Sequence, residues 1–162
     1  MARMTARDMM KLLGCIIVCL LVGAAGSFFT RSALPVWYRD LAKPSFTPPG
    51  WLFPPVWTML YVLMGVSLFL VWRLESDEPS KRVAFVAFAV QLVLNALWSP
   101  AFFGLQSPTA GLIVIVPLWV AILFMIAVFL NRSVAAGLLQ VPYLVWVGYA
   151  AVLNTSIVML NR

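Results

Sequence analysis

The chain has no histidine, only five acidic residues against eleven basic ones, and charged side chains at just 10% of its 162 positions. Without imidazole there is no Ser-His-Asp or Cys-His catalysis, no histidine-ligated zinc, no proximal-histidine haem iron and no imidazole proton relay. An ordinary soluble domain carries roughly 25% charged residues, so this composition cannot coat a water-facing surface. Its two cysteines, Cys15 and Cys19, stand four residues apart in one apolar stretch. With no third ligand nearby, they read as small buried hydrophobes rather than a metal or disulfide site. Any chemistry is left to aromatic, amide, hydroxyl and backbone groups.

What is present is apolar: 64% of the residues, with a mean hydropathy of +1.01. A hydrocarbon core of about 30 Å needs roughly 20 apolar residues in a helix. Five runs meet that length, at 12–30, 52–72, 83–105, 109–130 and 134–160, and none contains Asp, Glu, Lys or Arg. Charges are costly inside a bilayer, so this placement marks the span boundaries. The chain reads as an all-α integral membrane protein: a single domain over 1–162, five transmembrane helices, and a long loop at 31–51 between the first two. A closed barrel is disfavoured because the runs are continuous rather than alternating. Pro54 and Pro55 fall in the first turn of the second span and Pro108 just before the fourth, where missing amides are tolerated. Pro100, Pro117 and Pro142 lie inside spans and are expected to kink them.

An odd number of spans puts the termini on opposite sides. Arg3, Arg7, Lys11, Arg73, Lys81, Arg82 and Arg132 share one face, against Arg31, Arg39, Lys43 and Arg162 on the other. The positive-inside rule therefore favours an inside N-terminus, although Glu75, Asp77 and Glu78 dilute the signal. The net charge of +6 is read as topology and anionic-lipid contact, with no nucleic-acid partner. Arg3, Arg7 and Lys11, then Leu12 to Val22, then Gly23 to Ser27, also have the layout of a cleavable signal peptide, whose removal would leave four helices. The retained reading is a first span.

Uncharged polar residues inside spans need partners or a ligand. Gln91, Asn95, Trp98, Ser99 and Phe102 fall on one face of the third helix; Tyr143, Trp146, Ala150, Leu153 and Asn154 do so on the fifth. Trp57, Tyr61, Gly65, Leu68 and Trp72 form a similar stripe on the second. One reading is helix packing, with Trp57, Trp72 and Trp146 as interfacial anchors. The other is an aromatic-lined pocket for a large, flat, mostly apolar ligand. On the first span Cys19, Gly23 and Ser27 recur every fourth residue beside Gly26, a stripe that lets helices approach closely or leaves room for a ligand. The 31–51 connection holds Trp37, Tyr38, Lys43, Pro44, Pro48, Pro49 and Trp51, a stiff and partly apolar composition suited to a lid or surface plug.

These residues resemble the translocator protein family, also called tryptophan-rich sensory proteins. The resemblance is carried by Trp37-Tyr38, Leu41-x-Lys43-Pro44-x-x-x-Pro48-Pro49-x-Trp51 and Trp57-x-x-Leu60-Tyr61-x-x-Met64-Gly65. It continues with Gln91-Leu92-x-Leu94-Asn95-x-x-Trp98-Ser99-Pro100-x-Phe102-Phe103-Gly104, Pro142-Tyr143-Leu144-x-Trp146 and Leu153-Asn154. It implies a five-helix bundle, usually a homodimer, that needs no cofactor and binds porphyrins such as protoporphyrin IX, sterols and synthetic drugs under the first loop. Carried over by position, it implies Trp57 and Trp146 as opposed indoles, with Asn95, Trp98 and Ser99 from the third helix and Ser27, Ala150 and Leu153 from the first and fifth. Tyr61, Phe102 and Tyr143 complete the same stripes.

Light-dependent breakdown of protoporphyrin, attributed to some bacterial members, would make Trp57 and Trp146 the candidate catalytic residues. The sterol pattern of mammalian members, a Tyr followed by Lys or Arg near the end of the last helix, has no Tyr here between Ala151 and Arg162. The reading is therefore tetrapyrrole binding, with transport, sequestration or sensing, in a prokaryotic cell-envelope membrane. Porphyrin breakdown is the alternative from another class, and sterol or lipid translocation a further one. Ion-coupled transport is disfavoured because no span carries an ionisable acid.

Overall fold

The computed structural model describes residues 4–74 and 78–162; the expected surface charges Arg3, Glu75 and Asp77 lie outside them. The first helix, α1, runs Ala6–Ala33 and starts on a capping box. Thr5 Oγ1 accepts from the Asp8 amide at 3.2 Å, and Asp8 Oδ2 accepts from the Thr5 amide at 3.0 Å. The remaining helices are α2 (Phe53–Arg73), α3 (Glu78–Ser99), α4 (Pro108–Leu130), a short α5 (Val134–Leu138) and α6 (Val141–Leu160). Five helical stretches among the described residues are long and apolar enough to cross a membrane, with α5 and α6 together forming the fifth.

The structure changes two expectations. The chain stays helical past Arg31, first in α1 and then through a π-helical turn at Leu34–Tyr38, so the irregular segment is only Leu41–Pro49. Pro142 kinks no helix interior, because the fifth span breaks at Leu139–Gln140 and Pro142 falls in the first turn of α6. Pro35 and Pro100 each open a π-helical turn, Leu34–Tyr38 and Pro100–Gly104. A proline lacks an amide and its ring crowds the preceding turn, and a widened turn accommodates both defects.

Around the bundle α1 packs on α2 and α3, α4 on α3 and α6, and α5 on α2 and α4. Phe53 against Trp146 and Trp57 against Tyr143 close the ring between α2 and α6. Small residues set the closest approaches: a Cβ on Gly65 would stand 2.5 Å from Ile16 Cα, and one on Gly111 2.6 Å from the Phe102 ring. Leu60, Met64, Leu118, Ile122, Met125 and Phe129 fill the core, while Leu21, Phe28, Ile113 and Val145 are exposed on the outside, as a lipid-facing coat requires.

Candidate ligand-binding site

Asn95 is the centre of the polar part of the bundle. Its Oδ1 accepts from the Tyr61 hydroxyl of α2 at 2.7 Å, and its Nδ2 donates to the Tyr143 hydroxyl of α6 at 2.8 Å. One amide thus ties three helices together away from water, where a lone polar group would be costly. Gly23 of α1 makes room for this arrangement, since a Cβ there would stand 2.3 Å from the Tyr61 ring. One turn below Asn95, Gln91 is fully buried and neither of its amide atoms has a partner.

Aromatic rings continue the column toward the loop. Trp57 stacks on Tyr61 at 5.6 Å and meets Tyr143 edge-on at 6.4 Å. Trp146 meets Phe53 edge-on at 5.9 Å and Tyr149 at 5.8 Å, and its buried indole nitrogen has no partner. The two indoles come from α2 and α6, and each packs on a ring of the opposite helix and not on the other indole.

A second cluster sits at the end of α3. Trp98 stacks on Phe102 at 5.3 Å, and Trp37 and Tyr38 cover Phe102 at 5.5 and 6.2 Å. Leu153 is buried in the same cluster, and half-buried Ala150 packs on the main core. Trp98 Nε1 donates to Asn154 Oδ1 at 3.4 Å, and Asn154 Nδ2 donates to the Pro108 carbonyl at 2.7 Å.

The first helix contributes differently from expectation. Ser27 is exposed and its hydroxyl donates back to the Ala24 carbonyl at 2.7 Å, so it is not gathered with the other candidates. Gly26 and Thr30 take the place facing α3: Ser99 Oγ donates to the Gly26 carbonyl at 2.7 Å and lies 2.9 Å from Thr30 Oγ1. The signal was available, because Thr30 stands four residues after Gly26 at the end of the same span.

Over this column lies the Leu41–Pro49 segment. Lys43 Nζ donates to the Arg39 and Leu41 carbonyls at 2.9 Å each and sits 4.9 Å from the Tyr38 ring centre. Thr47 donates from both its amide and its hydroxyl to the Pro44 carbonyl, closing a turn. Pro48 and Pro49 lead into a 3₁₀ turn at Gly50–Leu52, and there Trp51 is 73% exposed and stands apart from the cluster. The segment is fastened to α6 by residues that periodicity did not single out. Ala42 exchanges two hydrogen bonds with the Asn161 side chain at 3.0 and 2.9 Å, and the Tyr149 hydroxyl donates to the Phe46 carbonyl at 2.6 Å.

The chemical character is plain: stacked and edge-on rings, a few fixed amide and hydroxyl groups, and no cluster of metal-ligating side chains among the described residues. In this structure the column is packed on its own side chains, with Tyr143 fully buried and Asn95 6% exposed.

The TspO/MBR family matches residues 15–160. The tryptophan-rich protein TspO of Chlorobaculum tepidum is 47% identical over 155 residues, covering 96% of this chain and 98% of the relative. That of Archaeoglobus fulgidus is 44% identical over 154 residues, covering 95% and 99%. The human translocator protein is 34% identical over 130 residues, covering 80% and 77%. With five apolar helices and matches along almost its whole length, the chain belongs to the TspO/MBR family of multi-pass integral membrane proteins.

Proposed function

We propose that the chain binds a flat, largely apolar tetrapyrrole of the protoporphyrin IX type in the aromatic column between α2, α3 and α6, and sequesters, moves or senses it. The observation that carries this reading is the convergence of Trp57, Tyr61, Tyr143 and Trp146 around Asn95 beneath a short, fastened segment. Rings stack on rings, so apolar burial and π-stacking supply affinity, and the unpartnered Trp146 indole nitrogen is a donor available to orient a polar edge. Because the column is packed, binding requires the Leu41–Pro49 segment or the rings beneath it to move aside. A homodimer, as the resemblance implies, is compatible with this site because the column lies within one chain.

Quenching of tryptophan fluorescence by added protoporphyrin IX tests the site. The expected result is strong quenching in the parent chain and at least tenfold weaker apparent affinity in Trp57→Phe combined with Trp146→Phe. Unchanged affinity in that double variant would remove the column as the binding site.

A further inference from the structure

Away from the packed aromatic column, the described surface is hollowed between two helices. It is a groove of about 1180 Å³ on the lipid-facing side between α3 and α4. Small residues make its floor: Ala87 is buried on α3, and Ala121 is half-buried on α4, four residues after Pro117. Val86, Val90, Val120 and Phe124 stand along the walls, and three of these four are β-branched and therefore stiff. Along α3 the groove runs from Pro79 to Leu94, about 22 Å at 1.5 Å per residue. That is longer than one leaflet, about half of a 30 Å hydrocarbon core.

One end of this apolar groove is charged. Arg82 is the one charged residue lining it, and it is exposed, with no ion pair or hydrogen bond among the described residues. A second guanidinium stands at the same end, because Arg132 donates to Ser80, two residues before Arg82 on α3. This is also the end of the bundle where α1 begins, since the other end of α3 meets Gly26 and Thr30 late in α1.

We propose that the α3/α4 groove is a binding site for an anionic phospholipid, with an acyl chain along the groove and the headgroup phosphate at Arg82. An apolar trough somewhat longer than one leaflet, ending in an arginine without an ion pair among the described residues, complements a molecule with a hydrocarbon chain below an anionic head. A second copy of the chain fits less well. A two-fold interface through the groove would place two Arg82 side chains at one depth with no acidic partner among the described lining residues, whereas a phosphate supplies the missing counter-charge. The inference is independent of tetrapyrrole binding.

Native mass spectrometry of the full chain released from nanodiscs of equal parts dioleoyl phosphatidylglycerol and dioleoyl phosphatidylcholine reads the retained lipid directly. Phosphatidylglycerol is expected to be retained about fivefold over phosphatidylcholine, the effect of one basic side chain near the membrane surface. Arg82→Gln should bring that ratio to about one, Arg82→Lys should keep most of it, and Arg39→Gln at the opposite end should leave it unchanged. Ala121→Phe, which fills the floor without altering charge, should lose adducts of both lipids. Equal retention of the two lipids by the parent chain, or full preference in Arg82→Gln, overturns the proposal. So does displacement by soluble glycerol phosphate at equal concentration, which would mean a head-group site without the groove. Lipid loss only on dissociation of a dimer likewise overturns it and assigns the groove to a second copy.

Discussion

The two ends of the aromatic column are held by hydrogen bonds in different surroundings. At the floor, Tyr61, Asn95 and Tyr143 join three helices through hydrogen bonds of 2.7 and 2.8 Å that are buried. At the roof, the Leu41–Pro49 segment is fastened by Ala42 with Asn161 and by Tyr149 with Phe46, all at exposed positions. Water or lipid headgroups can replace the roof bonds at little net cost, whereas nothing in the bundle replaces a lost floor bond. Under the proposed function, the comparison assigns geometry to the floor and access to the roof.

The largest way to break the floor is to push its helices apart. Gly65 lies one turn from Tyr61 on α2, and a Cβ there would collide with the backbone of Ile16 at 2.5 Å. Backbone cannot rotate away, so Gly65→Ala is expected to destabilise by about 3 kcal/mol, the upper part of the overpacking range. Thermal unfolding in detergent followed by circular dichroism reads this. Gly14→Ala, where the added Cβ meets nothing within 4 Å, should be neutral or slightly stabilising and serves as the control.

Next in size is Asn95→Leu, which keeps the volume roughly but leaves the Tyr61 and Tyr143 hydroxyls without their shared partner. The same unfolding measurement should show a loss of about 2 kcal/mol, more than a typical single interhelical bond in a membrane because two hydroxyls are orphaned at once. A loss under about 0.5 kcal/mol would put floor and roof on the same footing and break the distinction.

The roof variants sharpen it. Asn161→Ala should cost less than about 1 kcal/mol, since both bonds to Ala42 are solvent-accessible. Stopped-flow quenching by protoporphyrin IX should then show association and dissociation both accelerated several-fold, with the equilibrium affinity little changed. Tyr149→Phe removes a single bond to the Phe46 carbonyl and should have a smaller effect of the same kind, with stability unchanged within about 0.5 kcal/mol. Slower association in either variant would mean that the segment guides the ligand in and does not gate it.

Much of this fold was legible before any coordinates. Charge-free runs marked all five spans, because a charge in hydrocarbon is penalised wherever it sits in the bundle. Pro54, Pro55 and Pro108 fell at helix starts as expected. Hydropathy overstated the loop, because Leu34–Tyr38 is a proline-widened helical turn whose composition resembles a connection. It also missed the break at Leu139–Gln140, where one polar residue inside an otherwise apolar run gives little sign of a turn. In the candidate site, the stripes of α2, α3 and α6 supply the converging residues except Trp72, which is exposed and packs on Phe85 away from the column, and Ser27 and Thr30 show a further limit. Both are hydroxyl residues near the end of one span, three positions apart, and they differ in which way α1 is rotated against α3.

By itself the sequence determined how many stretches are apolar enough to cross the membrane and which residues share a helix face. Those properties follow from the local cost of placing polar groups in lipid and from the 3.6-residue period. Tertiary structure alone decided that Asn95 serves two tyrosines at once, that each indole packs on the opposite helix, and that Asn161 fastens a segment more than a hundred residues away. Those outcomes depend on the rotation and relative height of neighbouring helices. Side-chain volumes at close approaches such as Gly65 on Ile16 set these quantities, and no one-dimensional pattern encodes them.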